Sequence, residues 1–175
     1  TNTRTAGFAS VNIGAQYELT KILSIVLMFI GACPGSTGGG IKITTFMVLA
    51  VTVMCTIRGK NEAVVLRHRF STPTVYKAFT VAILAFLLVF VDAGVISSLD
   101  PDIAYLDCLY EATSAFGTVG LSANVTPLLD PISKLILIFT MFIGRVGPLS
   151  FGLSILMRHK SKGDSIYPEG RMLIG

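Results

Sequence analysis

An all-α integral membrane fold is predicted here by three observations. Of 175 residues, 52% are hydrophobic and only 14% charged, where soluble domains run to about a quarter charged. The apolar residues gather in long blocks. The basic residues mostly fall between or after those blocks, where membrane topology uses them, so the formal charge of +4 is no nucleic-acid signal. Cys33, Cys55 and Cys108 lack CxxC spacing, which argues against a disulfide framework or a zinc site. No cleavable signal peptide is recognisable, and the chain reads as a piece of a longer protein.

The first apolar region, 19–57, is interrupted by 31–40, which holds five glycines and Pro34. The second, 78–99, carries one charge, Asp92, and the third, 132–157, carries Lys134 and Arg145. At ~1.5 Å per residue the second and third can each cross a hydrocarbon core of ~30 Å. Between them, 103–117 gives only about 22 Å of helix, too short to span. Asp100-Pro101 offers this short helix an N-cap acid and a first-turn proline, and Asp130-Pro131 opens the third region likewise. The spacing suits a re-entrant pore helix, or a helix lying flat at the outer surface.

Orientation follows from charge. Arg58, Lys60, Arg67, Arg69 and Lys77 lie between the first two regions, and Arg158, Lys160, Lys162 and Arg171 follow the third. From Ala78 to Ser133 there is no Lys or Arg. Both basic clusters are therefore expected in the cytoplasm, with 100–130 outside.

An internal repeat is legible at an offset of 113 residues. Thr5, Gly7, Lys21, Ile25, Met28, Phe29, Ile30 and Gly31 fall without a gap on Thr118, Gly120, Lys134, Ile138, Met141, Phe142, Ile143 and Gly144. Each copy runs from outside to inside, so the repeats are parallel. From Lys21 to Arg58 is thirteen residues longer than from Lys134 to Arg158. The excess is expected at 32–44, too rich in glycine for a helix. The first copy should thus be two half-helices joined by an unwound segment. Such backbone is tolerated within a membrane only if buried in protein or lining a watery cavity.

Several residues carry possible chemistry. A Walker A reading of 34–42 fails, because Ile41 separates Gly40 from Lys42 and Ile43 follows. A plain flexible kink remains an alternative. In the two Thr-x-Gly turns, extended backbone ending in glycine can aim carbonyls at a cation. The C-terminal end of the preceding helix adds negative partial charge there. An ordinary turn would look alike if it occurred once. Arg145 corresponds in the repeat to Ala32, so it either faces a pore beside the unwound segment or bonds to carbonyls freed by Gly144, Gly147 and Pro148. Asp92 is expected to hydrogen-bond a neighbouring helix. Asp107 and Glu111 share a face and would be solvated, or would concentrate cations at an outer mouth. His68 and His159 read as surface residues. With no nucleophile–base pair or metal-ligand cluster, no enzyme chemistry is implied.

The segments RTAGFASV, GACPGSTGGGIKITTF, SAFGTVGLS and MFIGRVGPLSFG closely resemble the Trk/Ktr/HKT superfamily of potassium transporters, nearest the Ktr-type membrane subunit. The resemblance implies potassium-channel-like helix–pore-helix–helix repeats. In that scheme, 1–58 is the end of a third repeat with a broken inner helix and an intramembrane Gly-rich loop, and 59–77 is a basic cytoplasmic connection. Residues 78–157 form the fourth repeat (outer helix 78–99, pore helix 103–117, filter 118–122, inner helix 132–157), and 158–175 is a cytoplasmic tail. The filter would be Thr5, Ala6, Gly7 and Thr118, Val119, Gly120, holding K⁺ through backbone carbonyls. The gate would be Pro34, Gly35, Ser36, Thr37, Gly38, Gly39, Gly40 and Lys42 with Arg145. Leu121 stands where longer filters carry Tyr or Phe, which implies a one-glycine filter with weaker discrimination.

The same resemblance implies potassium uptake that is often sodium-dependent, with no cofactor in this chain. It also implies a homodimer in the bacterial cell membrane, bound from inside by a nucleotide-binding regulatory ring of the RCK/KtrA type. Two other functions fit the residues less well. A secondary solute transporter would use the broken helix as its substrate site, and a non-conducting scaffold would only dock a partner.

Overall fold

The computed structural model describes residues 6–9, 13–31, 33, 38–59, 64–65 and 68–147. Thr5, Pro34, Gly35, Ser36 and Thr37, and the expected tail 158–175, lie outside the described residues. The elements in order are α1 (Glu18–Phe29), α2 (Ile43–Ile57), β1 (Val64–Val65), β2 (His68–Arg69), α3 (Thr72–Leu99), α4 (Tyr105–Gly117) and α5 (Pro131–Val146). The two-residue strands pair antiparallel, Val64 opposite Arg69. Among the described residues, all other regular elements are helices.

The helix break falls where glycine accumulates, two residues earlier at each edge than expected. α1 stops at Phe29 and α2 starts at Ile43, so neither half-helix is long enough to span alone. The excursion between them closes on itself. Ile30 and Ile41 form a parallel bridge, with Gly31 N donating to Ile41 O at 2.8 Å and Ile41 N to Phe29 O at 3.4 Å. The chain thus leaves the helix, loops, and returns to almost the same place.

α3 has 28 residues, about 42 Å of helix. Among the described residues it is the one helix long and apolar enough to cross a membrane. It begins at Thr72 rather than 78, because Ser71 ahead of Pro73 makes a helix start that the apolar pattern does not reveal. Lys77 therefore lies on the helix and not in the connection before it. One stripe of α3 is buried, Ala78, Ala85, Val89, Asp92, Ala93 and Ile96. Its opposite face exposes Ile83, Phe86, Leu87 and Phe90, as a lipid-facing helix does.

α4 sits at the centre, packed against α1, α3 and α5. Every residue from Tyr110 to Gly117 is buried, whereas a helix lying flat on a surface would leave one face open. Its start differs from expectation. Asp100 does not cap α4, which begins at Tyr105 behind Ala104. Asp100 instead ends α3, and its carboxylate accepts from Asp130 N at 3.1 Å and Ser133 Oγ at 2.6 Å. The acid joins two helix ends 30 residues apart. Asp130 does cap α5, accepting from Ile132 N. Within the described residues, the expected inner helix 132–157 is helical to Val146 and ended by Gly147 at φ +92°.

Helix association inside a membrane depends on close packing by small residues. A β-carbon on Gly144 would run into the Phe116 carbonyl, and one on Gly31 into the Gly39 carbonyl. A β-carbon on Gly117 would lie 3.0 Å from Met28 O. The glycine that ends both M-F-I-G copies is in each case a point of contact with backbone. Phe29 and Phe116 close the seam, ring centroids 5.9 Å apart.

Candidate filter and gate

The C-terminal end of α4 and the segment after it form the candidate site. Thr118 caps the helix in the left-handed region, φ 51° and ψ 40°. Its N–H returns to Ala115 O at 3.0 Å, and the Val119 N–H to Ser114 O at 2.9 Å. From there the side chains alternate. Val119, Leu121, Ala123 and Val125 are buried, 2 to 7% exposed, while Gly120 and Asn124 are exposed and Thr118, Ser122 and Thr126 half-buried. This period of two marks an extended segment anchored on one side in the core.

The two Thr-x-Gly turns, separated by 113 residues in the chain, meet here. Gly7 has φ +69° and Gly120 φ +81°, a region where side chains are strained. A β-carbon on Gly7 would lie 2.9 Å from Val119 O, and one on Gly120 3.7 Å from the Gly7 Cα. Gly7 is thus brought against Val119 and Gly120, with Ala6 and Thr118 their chain neighbours and Thr5 outside the described residues.

The returning limb of the Gly-rich loop touches the same place. Gly39 N donates to Thr118 Oγ1 at 3.0 Å, and a β-carbon on Gly39 would lie 2.7 Å from that oxygen and 3.1 Å from Gly117 O. Gly40, at φ +81°, lies against the Gly31 and Gly117 backbone. Of the expected gate residues, Gly39 and Gly40 are near the filter segment. The Lys42 and Arg145 side chains are exposed and form no hydrogen bond or ion pair with another described residue. Pro148, which the alternative reading of Arg145 invokes together with Gly144 and Gly147, lies outside the described residues.

The acids of α4 correct the expectation that they are solvated. Asp107 pairs with Lys21 of α1 at 2.6 Å, both largely enclosed. Glu111 is 5% exposed and accepts from Ser122 Oγ and, at 3.1 Å, from Ala123 N. Asp92 accepts from Thr140 Oγ1, joining α3 to α5, as expected of an acid inside a spanning helix. The repeated lysines diverge: Lys134 donates to Pro127 O at 3.3 Å rather than to a carboxylate. No sequence pattern marks the Glu111 or Gly39 contacts. The aligned lysines are the one trace that hinted at the Lys21 pair.

A family model described as a cation transport protein, TrkH, matches residues 1–164. The Ktr system potassium uptake protein B of Bacillus subtilis is 40% identical over 172 residues, 98% of this chain and 38% of the relative. The potassium/sodium uptake protein NtpJ of Enterococcus hirae is 34% identical over 176 residues, 98% of this chain and 39% of the relative. The crystal structure of the potassium transporter TrkH from Vibrio parahaemolyticus matches with a TM-score of 0.69 at 21% identity, over 89% of this chain and 35% of that one. That likeness concerns the fold. The chain spans about 38% of the length of the first of these relatives. It belongs to the TrkH family of cation transport proteins.

Proposed function

We propose that this chain supplies two of the filter segments and the gate of a potassium uptake protein in the bacterial cell membrane. One observation carries the reading. The Thr-x-Gly turns of the two repeats lie side by side, each glycine in the left-handed region. Buried Val119 and Leu121 hold the second turn from behind, which leaves its backbone free to face an ion path. Carbonyls so arranged replace the hydration shell of a cation, and the C-terminal end of α4 points its negative partial charge the same way. In this reading 1–58 ends a third repeat, 78–157 forms a fourth, and further repeats complete the ring.

The loop from Pro34 to Lys42 is the gate of this proposal, supported by the Gly39–Thr118 hydrogen bond. Pro34, Gly35, Ser36 and Thr37 belong to it by the family resemblance. Lys42 closes the Gly-rich loop and Arg145 aligns in the repeat with Ala32 inside it; in this reading both act on the path itself, consistent with their exposed side chains. Sodium dependence is supported by the name of the Enterococcus relative. A homodimer and a cytoplasmic nucleotide-binding ring are what the resemblance implies, and the basic residues between Arg58 and Lys77 give such a ring positive charge to recognise.

The test is potassium and sodium uptake by the full-length protein in cells lacking their own uptake systems, alongside Gly120→Ser. The parent should favour K⁺, and the variant should lose much of that preference, because a side chain at φ +81° shifts the carbonyl geometry. Absence of K⁺ uptake from folded protein supplied with its partner would overturn the proposal.

A further inference from the structure

We propose that Glu111 is a positioning residue for ion selection: its carboxylate, buried behind the filter segment, holds the chain that follows Gly120 in register. The inference rests on the filter reading above. Glu111 lies on α4 two turns before the helix ends, and the chain from Leu121 to Val125 runs back beside it. A single carboxylate oxygen accepts from both Ser122 Oγ and Ala123 N. Ser122 Oγ also lies 2.9 Å from Thr126 Oγ1 and accepts from Asn124 N at 3.0 Å. Three consecutive positions after the filter glycine, 121 to 123, are thus tied, by apolar anchoring or hydrogen bonding, to the helix that precedes it. The side chains at 119, 121, 123 and 125 are buried, but apolar contact slides more easily than a hydrogen bond. The carboxylate is the polar stop that sets where along α4 this segment sits.

This arrangement separates position from charge. A solvated Glu111 would raise the cation concentration at the mouth through its charge alone. At 5% exposure, with its oxygen occupied by two donors, it serves chiefly as an acceptor. An amide oxygen can accept the same two bonds, more weakly than a carboxylate. A methyl group can accept neither.

The measurement is the ratio of K⁺ to Na⁺ influx for the full-length parent, E111Q, E111A and S122A, each checked for folding by detergent gel filtration. E111A should lower the ratio about tenfold, which is ~1.4 kcal/mol. E111Q should stay within about threefold of the parent, since it keeps weakened forms of both bonds, and S122A should fall between. A parental ratio in folded E111A overturns the inference. A ratio in E111Q as low as in E111A overturns it too, and assigns the effect to charge. Should E111A fail to fold, an unchanged ratio in S122A is the overturning result. A parent without K⁺ preference refutes the filter reading instead, which keeps the two failures distinct.

Discussion

Replacing Thr118 by Val removes one hydrogen-bond acceptor and leaves the shape of the side chain almost unchanged. Thr118 sits at φ 51°, and Val is β-branched as Thr is, so backbone strain at that position is little altered. What is lost is the partner of the Gly39 N–H, donated to Thr118 Oγ1 at 3.0 Å in a partly buried setting. Gly39 is buried, so its N–H has no ready alternative, and an orphaned donor costs about 1–3 kcal/mol. If the docked loop is the closed gate, that cost falls on the closed state. The ratio of open to closed should then rise roughly 5- to 150-fold. The assay is K⁺ uptake by the full-length protein without its regulatory partner, with the K⁺ to Na⁺ ratio measured in parallel. T118V should raise partner-independent flux, and T118S, which keeps the hydroxyl, should raise it far less. Unchanged or lower flux from folded T118V would show that the loop contact does not hold the gate.

Two further outcomes concern the scaffold. Gly144→Ala drives a methyl group into the Phe116 carbonyl, so the α4–α5 seam must open, at about 1–3 kcal/mol or more. The melting temperature of detergent-solubilised protein should fall, whereas Gly94→Ala, with open space around its Cβ in the interior of α3, should be neutral or stabilising by up to ~1 kcal/mol. The Lys21–Asp107 pair should be strongly coupled: Lys21→Met or Asp107→Asn alone strands a largely enclosed charge and costs about 2–4 kcal/mol, and the double variant should cost less than either single. Additive losses in thermal melts would mean that the pair contributes nothing jointly.

Composition and local pattern determined a good deal of this protein. The membrane class followed from apolar blocks with few charges, because desolvating charge in lipid is costly wherever a helix packs. The break between α1 and α2 followed from glycine density, since helix propensity is a local property. The offset of 113 aligned the lysines, the Thr-x-Gly turns and the M-F-I-G ends. Pattern failed at edges. The apolar count missed the polar first turn of α3, and local capping rules assigned Asp100 to the wrong helix.

Tertiary structure alone decided the partners. Gly39 meets Thr118 across 79 residues, Lys21 meets Asp107 across 86, and Asp100 meets Ser133 across 33. Glu111 meets Ser122 across 11, close in sequence yet invisible to period, because it depends on the chain reversing after Gly120. Sequence patterns record what a residue is and how often it recurs. Which acceptor a buried donor finds depends on how helices are placed to within a fraction of an ångström, and that is settled by the packing of the whole. For the same reason the repeat identified Gly31 and Gly144 as a pair, and only the fold revealed that each is pressed against a carbonyl with no room for a side chain.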